Sequence, residues 1–121
     1  MARVERRYEP TPSTPRRARR FVGGALEAWA SDELRVDAEV LTTEVVSDAL
    51  RHKPSQVAVL VEHADGVVRV EVSDDPGLIM STPGNAAFER DAGRRLLRAL
   101  ARRWGSEADR VRTTTWFELG R

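Results

Sequence analysis

The sequence predicts an α+β domain, a two-layer sandwich in which a mixed, mainly antiparallel sheet is covered on one face by three helices. Two valine-rich segments flank the Asp-Gly pair at 65–66, which is a strong signal for a β-hairpin. Three other segments carry apolar residues at the spacing of an α-helix. The resulting order is β, α, α, β, β, loop, α, β, and it suits one layer of helices packed on one sheet.

Length and composition indicate a single domain spanning residues 1–121. A chain of 121 residues can bury enough apolar surface to fold without metals or disulfides, and it contains no cysteine. Its longest aliphatic run, residues 57–61, is far too short to span a bilayer. The first residues lack the apolar stretch of a signal peptide. We therefore expect a cytoplasmic protein without a membrane partner.

Residues 1–14 are expected to form an N-terminal strand, over 3–9, and an extended connector, because prolines follow at 10, 12 and 15. Thr14 stands directly before a proline, so it is the predicted N-cap of a helix over 15–30. The glycine pair at 23–24 weakens that helix by about 1 kcal/mol per glycine. This cost predicts a close packing contact at the pair.

The middle of the chain predicts a helix and the two strands of the hairpin. The helix is expected over 33–52, with Ser31 or Asp32 as its N-cap and a Lys-Pro pair at its end. The hairpin strands follow at 56–63 and 67–73. Valines alternate with charged residues in the second strand, so one face of the sheet should be buried and the other solvated.

The last third predicts a long loop, a third helix and a closing strand. Residues 75–92 show little periodicity, and loops of this length inside a compact domain are usually functional. A third helix is expected over 92–104, with Gly105 as its C-terminal cap. The β-rich run at 113–119 is the expected closing strand.

Charge is nearly balanced overall but uneven along the chain. The net charge is +1, yet the first twenty residues contain only two glutamates against seven arginines, at positions 3, 6, 7, 16, 17, 19 and 20. A nucleic-acid-binding domain that uses these N-terminal arginines is the weakest function considered. The near-neutral chain and the lack of a DNA-binding motif both disfavour it.

Two carboxylates on the second helix are the first candidate site. Glu44 and Asp48 are four residues apart, so they share one face of the helix, where like charges repel. A magnesium ion bound to substrate phosphates would give this pair a purpose. The alternative is a solvated helix face, which spacing alone favours. No metal cluster is expected beyond this pair.

Two further positions are candidates for ligand contacts. Asp74 ends a valine strand, where its carboxylate can accept a hydrogen bond from an exocyclic amine or serve as an ordinary turn residue. Gly93, followed by Arg94 and Arg95, opens the third helix, whose first N–H groups suit a phosphate. A plain helix start is the alternative there. His52 is expected to be a surface residue.

Four segments, at 41–52, 70–75, 93–105 and 113–119, have an order and spacing that resemble the motifs of the histidine-kinase-like (Bergerat-fold, GHKL) ATPases. They resemble, in turn, the N-box helix, the adenine-binding aspartate motif, the second glycine box with its helix, and the closing strand. The closest resemblance is to the anti-sigma-factor serine/threonine kinase branch. It covers about residues 15–119 and implies the Bergerat ATP-binding fold.

The resemblance implies a role for each matched position, with ATP and Mg²⁺ as cofactors. Glu44 would be the general base that activates the attacking hydroxyl, and Asp48 would bind Mg²⁺. Asp74 would accept a hydrogen bond from the adenine amine, and Thr114 would join that contact through water. The loop over 75–92 would act as a lid. The other implied cofactor-binding residues are Gly77, Gly93, Arg94 and Arg95.

Three of these positions depart from the family pattern. Asp48 stands where the family carries asparagine, so another negative charge lies near the polyphosphate. Pro76 occupies the usual place of a glycine, with Gly77 one position late, and proline has no N–H to donate. Arg95 replaces another glycine, and its side chain would crowd a phosphate. We therefore expect weakened or lost binding of Mg-ATP.

The function expected from this resemblance is regulation by protein binding. Such a protein would bind a sigma factor or an anti-anti-sigma antagonist, with weak or lost ATP binding and no required catalysis. The alternative is an active serine/threonine protein kinase that phosphorylates the antagonist, with Glu44 as base. Relatives often form dimers, so a homodimer is a further expectation.

Overall fold

The computed structural model describes residues 1–75 and 91–121, with the side chains of residues 91 and 92 left out of the description. These residues form five strands and three helices. In chain order the elements are β1 (Ala2–Tyr8), α1 (Thr14–Leu26), α2 (Asp32–Leu50), β2 (Val57–Ala64), β3 (Val67–Asp74), α3 (Asp91–Leu100), β4 (Arg103–Ala108) and β5 (Thr113–Gly120).

The strands form one open sheet in the order β1-β2-β3-β5-β4. Every neighbouring pair is antiparallel, so the sheet is antiparallel throughout rather than mixed. The predicted hairpin is confirmed, since Asp65 and Gly66 both have positive φ, at 53° and 76°, as a tight two-residue turn requires. The α+β two-layer architecture is therefore the one that the sequence predicts.

The core lies between the helices and one face of the sheet. Alternate residues of the central strands are buried there, including Val59, Val70 and Phe117, each fully buried. Residues from all three helices close the layer from the other side. The fully buried apolar side chains of the helices include Ala18, Val22 and Leu26 of α1, Ala38, Leu41 and Val46 of α2, and Leu97 of α3.

The starts of the first two helices differ from each other. Ser31 caps α2 as predicted, because its side chain accepts a hydrogen bond from the backbone N–H of Leu34 at 3.3 Å. The predicted cap of α1 is wrong. Ser13 occupies the N-cap position without a side-chain capping bond, and Thr14 is already helical. The Thr14 hydroxyl instead accepts from the N–H of Thr11, at 2.9 Å.

Helix α1 also ends earlier than predicted, at Leu26 rather than near residue 30. Trp29 lies in the turn after α1, but its side chain still packs against the core, so its position fits the helical spacing of apolar residues. The predicted close contact at the glycine pair is confirmed for one of its members. The Glu39 carboxylate of α2 lies where a side chain on Gly23 would begin, whereas the same position on Gly24 is open.

The predicted helix over 92–104 is wrong at its C-terminal end. Helix α3 ends at Leu100, and the N–H of Arg102 donates to the carbonyl oxygen of Glu118 at 2.7 Å, which joins the chain to the sheet. Trp104 and Gly105 therefore lie in β4, and Gly105 is not a helix cap. Trp104 fitted the helical spacing because its side chain packs against the core from the strand.

The second face of the sheet carries no helix among the described elements and is polar. One row across the strands alternates in charge and consists of Arg3, Glu62, Arg69, Glu118 and Arg103. The carboxylate of Glu118 lies 3.1 Å from Arg69 and 2.9 Å from Arg103. The Trp116 ring lies beneath both guanidinium groups, with the carbon of Arg69 4.2 Å from the ring centroid. Gly105 provides the room for this indole.

Helices in the described part of the chain do not reach the length and apolarity that a bilayer crossing requires.

Candidate functional site

Asp74 is the most unusual polar residue of the fold. It is the last residue of β3, paired with Val57 on one side and Thr113 on the other. It shares the helix-covered face with Val72, two residues earlier, and only 4% of its surface is exposed. Neither of its carboxylate oxygens has a hydrogen-bond partner within the described residues. A buried acceptor in this state is costly, and it suits a ligand that brings N–H or O–H donors.

A small cavity lies beside this carboxylate, between α2 and the ends of β3 and β5. Its volume is about 10 Å³, which is room for about one water molecule. Apolar and polar side chains share its wall, which is formed by Val45, Asp48, Ala49, His52, Val72, Asp74, Thr113 and Thr115. Asp48 of α2 and Asp74, the aspartate that ends the hairpin, therefore meet at one site.

The electrostatic surroundings of Asp74 disfavour its charged form. Burial raises the pKa of Asp74 from 3.8 to about 7, and the negative charges of Asp75 and Asp48 add to the increase. The Thr113 side chain lowers this pKa in part, although no hydrogen bond of ordinary geometry joins the two among the described residues. A donor that hydrogen-bonds the carboxylate would favour its ionised form and reverse the shift.

A second, wider depression borders Asp74 from the opposite face of the sheet. Its volume is about 350 Å³, and Ser73, Asp75 and Arg112 lie in its wall next to Asp74. Asp75 is held at its rim by Ser55, whose backbone N–H donates to Oδ1 at 2.7 Å and whose hydroxyl contacts Oδ2. Room for a ligand larger than water therefore exists next to Asp74, but on the face away from α2.

The two acidic residues of α2 lie in different environments. Asp48 is 3% exposed and faces the cavity, and its Oδ1 lies 3.6 Å from a guanidinium nitrogen of Arg51. Glu44 is one helical turn earlier and half-buried. The nearby arginine offsets the extra negative charge at position 48, so this carboxylate is not isolated in the absence of a cation.

The hydrogen-bonding groups of the site suit the nucleotide that the resemblance implies, but the volume of the cavity does not. The carboxylate of Asp74 has no partner in the described part of the chain and is the kind of acceptor that an adenine amine needs, but a cavity of about 10 Å³ is far smaller than a purine. Within the described residues no group of three acidic or histidine side chains is arranged to hold a metal ion. Nucleotide binding at Asp74 would therefore require the cavity to open, and Mg²⁺ would find Asp48 already paired with Arg51.

The closing strand faces the cavity through different threonines from the one predicted. Thr114 pairs with Ser73, and both lie on the polar face of the sheet, with their hydroxyl oxygens 3.4 Å apart. Thr113 and Thr115 lie on the other face and line the cavity. The side chain of Thr114 is therefore separated from the cavity by the sheet itself.

The predicted phosphate-binding residues are only partly described. Gly93 is buried in the first turn of α3, Arg94 is half-buried and Arg95 is exposed. Helix α3 packs on α2, the helix that carries the acidic pair. Gly77, and the greater part of the lid predicted over 75–92, lie outside the described residues.

His52 is a site residue that the sequence analysis assigned to the surface. It follows the C-terminus of α2, and its backbone N–H donates to the carbonyl oxygen of Ala49 at 3.2 Å, which continues the helical turn. Its Nδ1 atom is buried without a hydrogen-bond partner among the described residues, and its ring lines the cavity. The spacing along the sequence could have identified His52, because it is four residues after Asp48 and falls on the same helical face.

No protein-family model matches this chain, and no curated protein matches it either.

Proposed function

We propose that this chain is a cytoplasmic regulatory domain that resembles the anti-sigma-factor kinases and acts by binding a sigma factor or its anti-anti-sigma antagonist. A purine nucleotide, bound weakly through its exocyclic amine at Asp74, would modulate that binding. The observation that carries the proposal is the buried carboxylate of Asp74 at a strand end, which has no hydrogen-bond partner among the described residues and lies beside the acidic face of α2. An amine donor would satisfy this acceptor and lower its pKa.

The environment of Asp48 and the small size of the cavity favour a protein that regulates by binding a partner rather than by catalysis. Asp48 already has Arg51 as a nearby positive charge, and the cavity holds about one water molecule. Both features weaken the binding of a magnesium–nucleotide complex without disturbing the packed scaffold, in which α2 contributes several fully buried side chains. The scaffold therefore remains available for a protein partner even where the nucleotide binds weakly.

Calorimetric titration with ATP and with inosine triphosphate tests the nucleotide half of this proposal. The inosine compound carries a carbonyl oxygen where ATP carries the amine, so it repels the carboxylate. We expect ATP to bind the wild-type chain above about pH 8, where Asp74 is ionised. We expect Asp74→Asn to weaken binding by about tenfold or more, since hydrogen bonds to charged groups contribute ~1.5–3 kcal/mol.

Asp65→Asn is the matched control for this titration. Asp65 lies at the other end of the same hairpin, is exposed, and has the positive φ that asparagine tolerates. The affinity of the Asp65→Asn variant for ATP should equal that of the wild-type chain. Equal binding of ATP and inosine triphosphate, or equal binding by the Asp74→Asn variant, would remove Asp74 from nucleotide recognition.

An active serine/threonine kinase is the second candidate function, because Glu44 and Asp48 lie one turn apart on α2 with Asp48 facing the cavity. Glu44 would accept the proton of a substrate serine as the serine oxygen attacks the γ-phosphorus of ATP, and ADP would leave. We expect Glu44→Gln to reduce phosphorylation of an anti-anti-sigma substrate by a factor of about 10²–10⁴, the usual contribution of a general base. Labelled phosphate transfer measures this, with Glu33→Gln as the exposed control on the same helix. Equal transfer by wild type and Glu44→Gln would contradict the kinase function.

A further inference from the structure

The first strand forms one edge of the sheet. β1 pairs with β2 through all seven of its residues, and within the described residues no other strand pairs with its outer side. In an antiparallel edge strand, every second residue directs its N–H and C=O groups outward. Such an edge is a template for another extended chain unless its side chains prevent the pairing.

Arginines surround this edge. β1 and α1 together carry seven arginines, all exposed, at positions 3, 6, 7, 16, 17, 19 and 20. Two contacts connect these elements through arginine and aromatic side chains. The guanidinium carbon of Arg6 lies 4.9 Å from the centroid of the Phe21 ring, and that of Arg17 lies 5.3 Å from the centroid of the Tyr8 ring. The arginines of the strand and the helix therefore form one surface, which we call the arginine edge.

The acidic side chains near the arginine edge are too few to neutralise it. Glu5 lies 3.3 Å from Arg7, which is the one ion pair seen between the described residues of this surface. Glu9 is the other acidic residue within the first twenty positions. From the neighbouring strand, Glu62 lies opposite Arg3. The edge is thus positively charged in a chain whose net charge is only +1.

We propose that the arginine edge binds an extended acidic segment of another protein, which pairs with β1 as a sixth strand. The backbone of the segment would satisfy the outward N–H and C=O groups of β1. Its carboxylates would lie opposite Arg3 and Arg7 on the polar face, with an uncharged residue opposite Glu5 between them. Side chains directly opposite on neighbouring strands contact each other, so acidic residues four positions apart match this pattern.

A second copy of the chain is a poor occupant of this edge. Antiparallel pairing of two β1 strands about Glu5 would place Arg3 of each copy opposite Arg7 of the other, and like charges in this position are destabilising. A nucleic acid is also disfavoured. The Phe21 and Tyr8 rings already carry arginine side chains from the same molecule, so they offer no open face for a base to stack on. The hydrogen-bonding groups of a strand edge match a peptide backbone rather than a sugar-phosphate chain.

Fluorescence anisotropy of a labelled short peptide, in which three threonines separate successive glutamates, tests this proposal on the full chain. A second peptide with the same sequence carries N-methyl groups on alternate amides, which removes backbone donors and leaves the charge unchanged. A short DNA duplex of random sequence provides a polyanion without a peptide backbone. We expect salt-sensitive binding of the first peptide and a loss of binding for the N-methylated one.

The variant Arg3→Thr, Arg7→Thr should bind the acidic peptide about tenfold more weakly, as the loss of two exposed charge pairs predicts. The matched control is Arg98→Thr, Arg110→Thr, which removes two exposed arginines outside β1 and α1 and should bind as the wild type does. Thermal melting checks that both variants are folded. Absence of peptide binding, equal binding of the N-methylated peptide, or tighter binding of the DNA duplex would each overturn the proposal.

Discussion

Replacing Asp74 with asparagine should stabilise the domain at about pH 8 and remove part of its pH dependence. The folded-state pKa of Asp74, about 7, is higher than its ordinary value of 3.8. Between these values the folded chain therefore holds a proton that the unfolded chain has released, and stability falls as the pH rises from about 4 to about 7. The full difference corresponds to ~4 kcal/mol. Asp74 borders the wider depression of about 350 Å³, where solvent screens part of this difference, so we expect a gain of roughly 1–2 kcal/mol.

Urea denaturation of both proteins at several pH values measures this effect. The stability difference between Asp74→Asn and wild type should be close to zero at about pH 4, grow up to about pH 7, and then stay constant. Carboxylates distant from Asp74 contribute equally to both curves, and Asp65→Asn should follow the wild type throughout. A constant difference across this range, or a loss of stability at about pH 8, would contradict the assigned pKa.

Replacing Phe117 with alanine should have the largest effect on stability. Phe117 is fully buried in the middle of β5, where it pairs with Val70 of β3 and with Trp104 of β4. Removing its ring leaves a cavity between the sheet and the helices, at a cost of about 3–5 kcal/mol. Native domains are stable by only about 5–15 kcal/mol, so a visible fraction of this variant should unfold at physiological temperature.

The neighbouring Trp116 is the matched control, because it is also aromatic but lies on the polar face between two arginines. Trp116→Ala loses these contacts and some buried area, and we expect a cost of only about 1–2 kcal/mol. Calorimetric melting of both variants compares the two faces of β5 directly. A larger loss for Trp116→Ala than for Phe117→Ala would mean that the polar face is buried by another chain in solution.

The predicted cost at Asp74 and its proposed function have the same physical origin. An acceptor without a donor destabilises the free domain, and a ligand amine that donates to it recovers that free energy on binding. Below about pH 7 the carboxyl is protonated, so such a ligand should release a proton as it binds. Residues that carry function often reduce stability in this way, which is why Asp74→Asn should be more stable and less able to bind.

Local sequence patterns predicted some strands of the sheet and missed one. The Asp-Gly turn and its valine flanks predicted β2 and β3 almost to the residue, because a two-residue hairpin depends only on neighbouring positions. The short strand β4 was missed. Its Trp104 continues the helical spacing of Leu97 and Leu100, and the bond from Arg102 to Glu118 that ends the helix comes from a distant part of the chain.

By itself the sequence determined the α+β architecture, the acidic face of α2, and the position of Asp74 at the end of a buried strand, since each follows from spacing along one segment. The tertiary structure decided which neighbours complete the site. Successive strand residues face opposite sides, so Thr113 and Thr115 line the cavity and Thr114 does not, once β5 is in register with β3. The same long-range packing turned His52 inward and brought the arginines of β1 and α1 to one edge.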